Sequence, residues 1–244
     1  MHRIKLIIEY DGSNYHGFQR QKNAHTIQAE IEESIYKLIN ENLHITSSGR
    51  TDAGVHALGQ VVVFDTNSSI PPDKWRFALN SVLPDDIKIL HSELVANDFH
   101  PRFDALSKIY RYKIYRDNIG QTFVRNYAWC YTDPLDIKAM QEACNYIIGF
   151  HNFKSFCASG SSVKSYERHV MKCHIAEEPP YINLEIEANG FLYNMIRIIM
   201  GTLLEVGRVN ISPERVRDII LAQDRRLANI TAPAEGLYLM EVKY

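Results

Sequence analysis

The stretch LGQVVVFDTNSSIPPDKWRFALNSVLPDDIKILHSELV, residues 58–95, holds the decision about the fold. Its first part, LGQVVVFDT (58–66), is β-branched and strand-like. Pro72 then opens a helix over 72–83 with Trp75, Ala78, Leu79 and Val82 on one face, and IKILHSELV (87–95) returns to strand. Ahead of this stretch, RIKLIIEYDG (3–12) alternates and ends in Asp-Gly, a strand entering a turn. From Thr26, an N-cap residue type, Ile27, Ile31, Ile35, Leu38 and Ile39 keep helical spacing. The order is β, α, β, α, β.

The order recurs downstream. SKIYRYKIYRD (107–117) predicts a strand and DIKAMQEACNYII (136–148) a helix, while residues 167–177 and 181–188 predict a hairpin turned by Glu178, Pro179 and Pro180. FLYNMIRIIMGTLLEV (191–206) reads as a long helix, SPERVRDIILA (212–222) as a short one capped by Ser212, and GLYLMEVKY as a closing strand. Two such halves predict an α+β fold: two ferredoxin-like, split βαβ halves joined into one mostly antiparallel sheet, with helices on one face and a central cleft. The boundary is expected near NDFHPRFDAL, giving an N-terminal half 1–103 and a C-terminal half 104–244.

A net charge of −2 over 244 residues argues against a protein that coats nucleic acid through bulk charge, so local clusters must carry any such contact. Basic residues do bunch, at Arg20 and Lys22, at Arg102, Lys108, Arg111, Lys113 and Arg116, at Lys154, Lys164, Arg168 and Lys172, and at Arg225 and Arg226. Solvated faces would give the same pattern. The N-terminus alternates rather than forming the apolar core of a signal peptide, and no long uninterrupted apolar run follows, so a cytoplasmic protein with no membrane contact is expected. Cys130, Cys144, Cys157 and Cys173 lack CxxC or finger spacing, which favours reduced thiols over disulfides or zinc.

SSGRTDAGVHALGQ (47–60) places Asp52 two positions after Arg50 among Ser, Gly and Ala, in a loop feeding a strand. Gly49 and Gly54 allow a tight turn and the approach of something flat. An Asx turn at Asp52 would explain the carboxylate locally, and a phosphate-cradling loop is disfavoured because the Gly-Lys-Ser/Thr ending is missing. In the helix 191–206 apolar residues cover most of the circumference, so Arg197 is expected in a low-dielectric region in need of a carboxylate. Asp52 is the expected partner, with Arg50 close by; helix carbonyls or Glu205 are the alternative. Such a pair would keep Asp52 ionised at neutral pH, as a nucleophile or base. In the strand 107–117, Tyr110 and Tyr112 share one face, which serves equally as a stacking surface for a base or as a structural ladder.

These residues resemble a known family. IEYDGSNYHGFQRQ, SGRTDAGVHALGQVVVF, FHPRFDALSKIYRYKIY, GFHNFKSFC, NGFLYNMIRIIMGTLLEVGR and TAPAEGLYL are similar, in the same order from about residue 5 to 244, to the bacterial tRNA pseudouridine synthase I (TruA) family. The resemblance implies an isomerase that converts uridine to pseudouridine in the tRNA anticodon stem-loop, at nucleotides 38 to 40, as a homodimer without metal or organic cofactor. It also implies roles: Asp52 as catalytic nucleophile, Tyr110 stacking on uracil, Arg197 pairing with the carboxylate, Arg50 holding the substrate and Leu237 packing against the base. Attack at C6, attack at C1′ and abstraction of a ribose proton all remain open to Asp52. Ser47 and Ser48 stand where small Gly or Ala residues are usual, and Asn229 where Gly is frequent, with Asn expected to tolerate a left-handed backbone there. A non-catalytic RNA-binding module is the rival reading, since sheets with exposed aromatics also bind single-stranded RNA.

Overall fold

The computed structural model describes residues 1–161 and 163–244. The first elements along the chain are β1 (His2–Tyr10), α1 (Ile27–Ile39), β2 (Thr46–Ser47), β3 (His56–Thr66), α2 (Trp75–Asn80) and β4 (Ile87–Val95). Then come β5 (Ser107–Tyr115), α3 (Gln121–Val124), β6 (Trp129–Cys130), α4 (Ile137–Asn145) and β7 (Gly149–Asn152). The chain closes with β8 (Glu167–Glu178), β9 (Tyr181–Ala188), α5 (Met195–Gly207), α6 (Arg215–Ala222) and β10 (Leu237–Lys243). The class is α+β, as expected, and the strand pairings within each unit are antiparallel except for β10 with β3 and β5 with β6. Two compact units emerge: residues Met1–Leu106 together with Tyr238–Tyr244, and residues Ser107–Leu237.

In the first unit β1 lies between β3 and β4, and its alternation puts Ile4, Leu6 and Ile8 into the core. Ile27, Ile31 and Ile35 from α1 are buried as well, each contributing about 1.5–3 kcal/mol by leaving water. Thr26 caps α1 by accepting from the Ala29 amide, and Asn40 closes it in the left-handed conformation. β2 and β10 both take the other edge of β3, at Val62 and Val63 and at His56 and Ala57 respectively. The helix expected over 72–83 is shorter: a 3₁₀ turn over 72–74 leads into α2, which stops at Asn80. The Asn80 side chain, donating to the Ile89 carbonyl (2.9 Å) and accepting from the Ile89 amide (2.8 Å), draws the helix end onto β4.

In the second unit the strand order is β5-β9-β8-β7, with the β8–β9 hairpin turned at the residues the sequence indicated. The helix expected from 191 begins four residues later, because Asn194 adopts φ 58° and the Tyr193 carbonyl is taken by the Ala158 amide. Arg197 therefore sits in the first turn of α5. Ser212 does not cap α6: it belongs to the preceding turn, where its carbonyl accepts from the Arg215 amide, and Glu214 occupies the cap position. Asn229 is not among the residues with positive φ, so its place needs no left-handed tolerance; its amide donates to the Thr202 hydroxyl (3.3 Å).

Gly201 lets the segment 228–232 lie on α5. A Cβ there would overlap the Ile230 carbonyl oxygen, which is backbone and cannot swing away. Gly201→Ala is expected to cost about 3 kcal/mol and to lower the melting temperature by roughly 5–10 °C. Calorimetry checks it, and an unchanged melting temperature would show that the segment yields.

Candidate active site

The hairpin between β2 and β3 carries Asp52, and two other segments of the first unit fasten it. Thr51, buried ahead of Asp52, shares a hydrogen bond of 2.7 Å with the Tyr10 hydroxyl and accepts at its carbonyl from the Phe18 amide (3.0 Å). Beyond Asp52, the Gly54 amide donates to the Tyr15 carbonyl (3.4 Å), and the Val55 amide closes a turn onto the Asp52 carbonyl (3.1 Å). Gly54 has φ 77°, which explains its identity; Gly49 has no positive φ. The loop 11–18 can press this close because it too has glycines at the contacts. A Cβ on Gly12 would overlap the Val55 carbonyl, and one on Gly17, already at φ 89°, would lie 2.8 Å from the Thr51 carbonyl. Asp52 is half-buried and Arg50 is exposed on the same hairpin.

Polar groups support the hairpin from below. Burial pushes the Tyr10 phenol up to about 12, against the pull of its Thr51 and Gln60 hydrogen bonds, so it keeps its proton at neutral pH. His56, buried at the start of β3, stacks on Tyr238 at 4.7 Å; its Nδ1 accepts from the Gly12 amide (3.1 Å) and lies 3.2 Å from Asp11 Oδ1. Tyr10, Gly12, Gly17 and His56 were not singled out from sequence. The available signal was their clustering in two motif blocks, EYDGSNYHGF and GVHALGQ.

The other expected site residues belong to the second unit. Tyr110 is buried on β5, with the edge of its ring toward Phe191 (5.1 Å, 78°). Its neighbour Tyr112 is fully buried and donates to the Pro233 carbonyl (2.7 Å), the structural alternative for this face. Arg197 is half-buried, less enclosed than its helix implied. Its Nε donates to the Ala232 carbonyl (2.7 Å) and its Nη1 to Asn194 Oδ1 (3.0 Å), while its own carbonyl accepts from the Ala232 amide (3.0 Å). Carbonyl bonding thus takes part of the guanidinium, although the acceptor is the 228–233 segment rather than the helix. Leu237, buried at the start of β10, follows the short turn Ala234–Gly236. Of the clustered basic residues, Arg20, Arg111, Lys172 and Arg226 each face a carboxylate, of Glu32, Glu185, Glu187 and Asp224.

Fold and site together define an α+β protein that holds one half-buried carboxylate on a hairpin fastened from both sides. Comparison gives the family. A sequence model of the family described as tRNA pseudouridine synthase matches residues 6–104 and 143–244, which include Arg50, Asp52, Arg197 and Leu237, with Tyr110 between the two matched segments. tRNA pseudouridine synthase A of Syntrophomonas wolfei is 57% identical over 244 residues, covering 100% of this chain and 98% of the relative. The proteins of the same name from Moorella thermoacetica (46% over 243 residues, 99% of each chain) and Bacillus pumilus (44% over 244 residues, 99% of each chain) are also similar. The chain belongs to the tRNA pseudouridine synthase family, isomerases that act on tRNA. Among the described residues no helix is long and apolar enough to cross a membrane.

Proposed function

We propose that this chain isomerises uridine to pseudouridine in the anticodon stem-loop of tRNAs, at nucleotides 38 to 40, with Asp52 as the nucleophile acting on a flipped-out base. The observation that carries the reading is the hairpin of Asp52, held by backbone bonds on both sides in a chain of this family. The reaction breaks the bond from N1 to C1′, turns the uracil and joins C5 to C1′; C5 gives its proton to solvent and N1 gains one, so no cofactor is required for balance. A base inside a stem offers neither face, so it must leave the stack first. The ionised carboxylate of Asp52 then begins the exchange.

In this reading Arg50 holds the substrate backbone, Tyr110 stacks on the uracil, Leu237 packs against it, and Arg197 supplies the positive charge that keeps Asp52 ionised. The protein works in the cytoplasm as a homodimer, without metal. The test is incubation with tRNA tritiated at uracil C5. Release of label to water is expected, and its loss when uridines 38 to 40 are replaced by cytidine. Complete retention of label at enzyme stoichiometric with tRNA is what a mere RNA-binding module would give, and it would end the proposal. Release that survives the cytidine replacements would move the target elsewhere in the tRNA.

A further inference from the structure

We infer that the buried carboxamide of Gln60 is a positioning residue for the reaction, fixing where the hairpin presents Asp52; the inference rests on the reading of Asp52 above. Gln60 is fully buried on β3 beside the apolar run Val61, Val62, Val63 and Phe64, where a polar side chain is costly unless every bond is made. Its bonds converge on the hairpin. Oε1 accepts from Ser48 Oγ (2.6 Å) and from the Val61 amide (3.1 Å), and Nε2 donates to the Gly49 carbonyl (2.9 Å). Close to this amide stands the Tyr10 hydroxyl, which shares a hydrogen bond of 2.7 Å with Thr51 Oγ1. One side chain therefore bonds residues 48 and 49 of the segment that enters Asp52, beside the Tyr10 hydroxyl that holds residue 51. Ser48 contributes the shortest of these bonds.

A core side chain kept only for stability would serve its own strands, and an apolar residue would do so at lower cost. This one holds a loop, and a reacting group displaced by about 1 Å costs on the order of 100-fold in rate. Gln60→Glu preserves the shape and both acceptor bonds while turning the Nε2 donor into an acceptor that opposes the Gly49 carbonyl. Burial raises the new carboxyl above its ordinary range, and when protonated it donates to Gly49 again.

The experiment is steady-state tritium release from C5-labelled tRNA by the full chain, comparing Gln60→Glu and Tyr10→Phe with wild type at matched pH. For Gln60→Glu, kcat at about pH 8.5 should fall roughly 100-fold with KM within about twofold, and the ratio to wild type should recover roughly tenfold by about pH 6.5. Tyr10→Phe, which cuts the link to Thr51, should lose about tenfold in kcat with KM unchanged. A folded Gln60→Glu protein with wild-type kcat at the higher pH, or with loss in KM alone, overturns the inference. Should Gln60→Glu not fold, Tyr10→Phe decides, and a kcat within about twofold of wild type overturns it. Asp52→Asn separates the two readings: if that variant still turns over, the role of Asp52 falls. If it is inactive while Gln60→Glu and Tyr10→Phe run at wild-type rate, only the role of Gln60 falls.

Discussion

Asp52→Asn protein should fold, bind tRNA and release essentially no tritium. The change is isosteric, and the Asp52 carbonyl, Thr51, Gly54 and Val55 fasten the hairpin through backbone and hydroxyl bonds that a side-chain amide does not alter. The melting temperature should therefore stay within roughly 2 °C of wild type. Affinity for tRNA should be equal or slightly higher, since a carboxylate that repels phosphate has gone. Turnover is different, because a neutral carboxamide is neither nucleophile nor base, and a loss of about 10⁴-fold or more, some 5.5 kcal/mol in the barrier, is expected. Pseudouridine formed by the purified variant at above about 1% of the wild-type rate would remove Asp52 from its role.

Much of the fold was legible because burial here follows simple periods. The alternation of β1 and the 3.6-residue spacing of Ile27, Ile31 and Ile35 are direct images of one buried face. What escaped has local physical causes. β2, β6, β7 and α3 run two to four residues, too short to show a period. α2 ended early through a side-chain bond to β4, and α5 began late through a left-handed asparagine, neither of which periodicity registers.

The site divides in the same way. Asp52 was conspicuous because small residues surround a lone carboxylate. Its fastening was not, since Tyr10, Gly12 and Gly17 meet residues 51–55 across more than thirty positions of chain, and a single sequence contains no record of such pairings. Arg197 was noticed as a cation in an apolar helix, yet the Ala232 carbonyl that takes its Nε lies in a loop with no periodic signal.

Arg197→Met tests the second half of the charge argument, and its effect on stability and its effect on turnover have separate origins. Loss of the bonds to Ala232 and Asn194 leaves a carbonyl and an amide oxygen without their charged donor in a half-buried place, costing about 2–3 kcal/mol and roughly 5–10 °C in melting temperature. If Arg197 also keeps Asp52 ionised, removing the positive charge raises the carboxyl pKa. The reactive form is the ionised one, so the acid limb of the kcat/KM profile should move to higher pH by about one to three units, with activity falling more at about pH 4.5 than at about pH 8.5. Arg197→Lys restores the charge but not the planar fork that reaches Ala232 and Asn194 together. It should recover the position of the acid limb while remaining thermally weakened. A methionine variant with a lowered melting temperature but an unmoved acid limb would confine Arg197 to holding the 228–233 segment and leave Asp52 in need of another counter-charge.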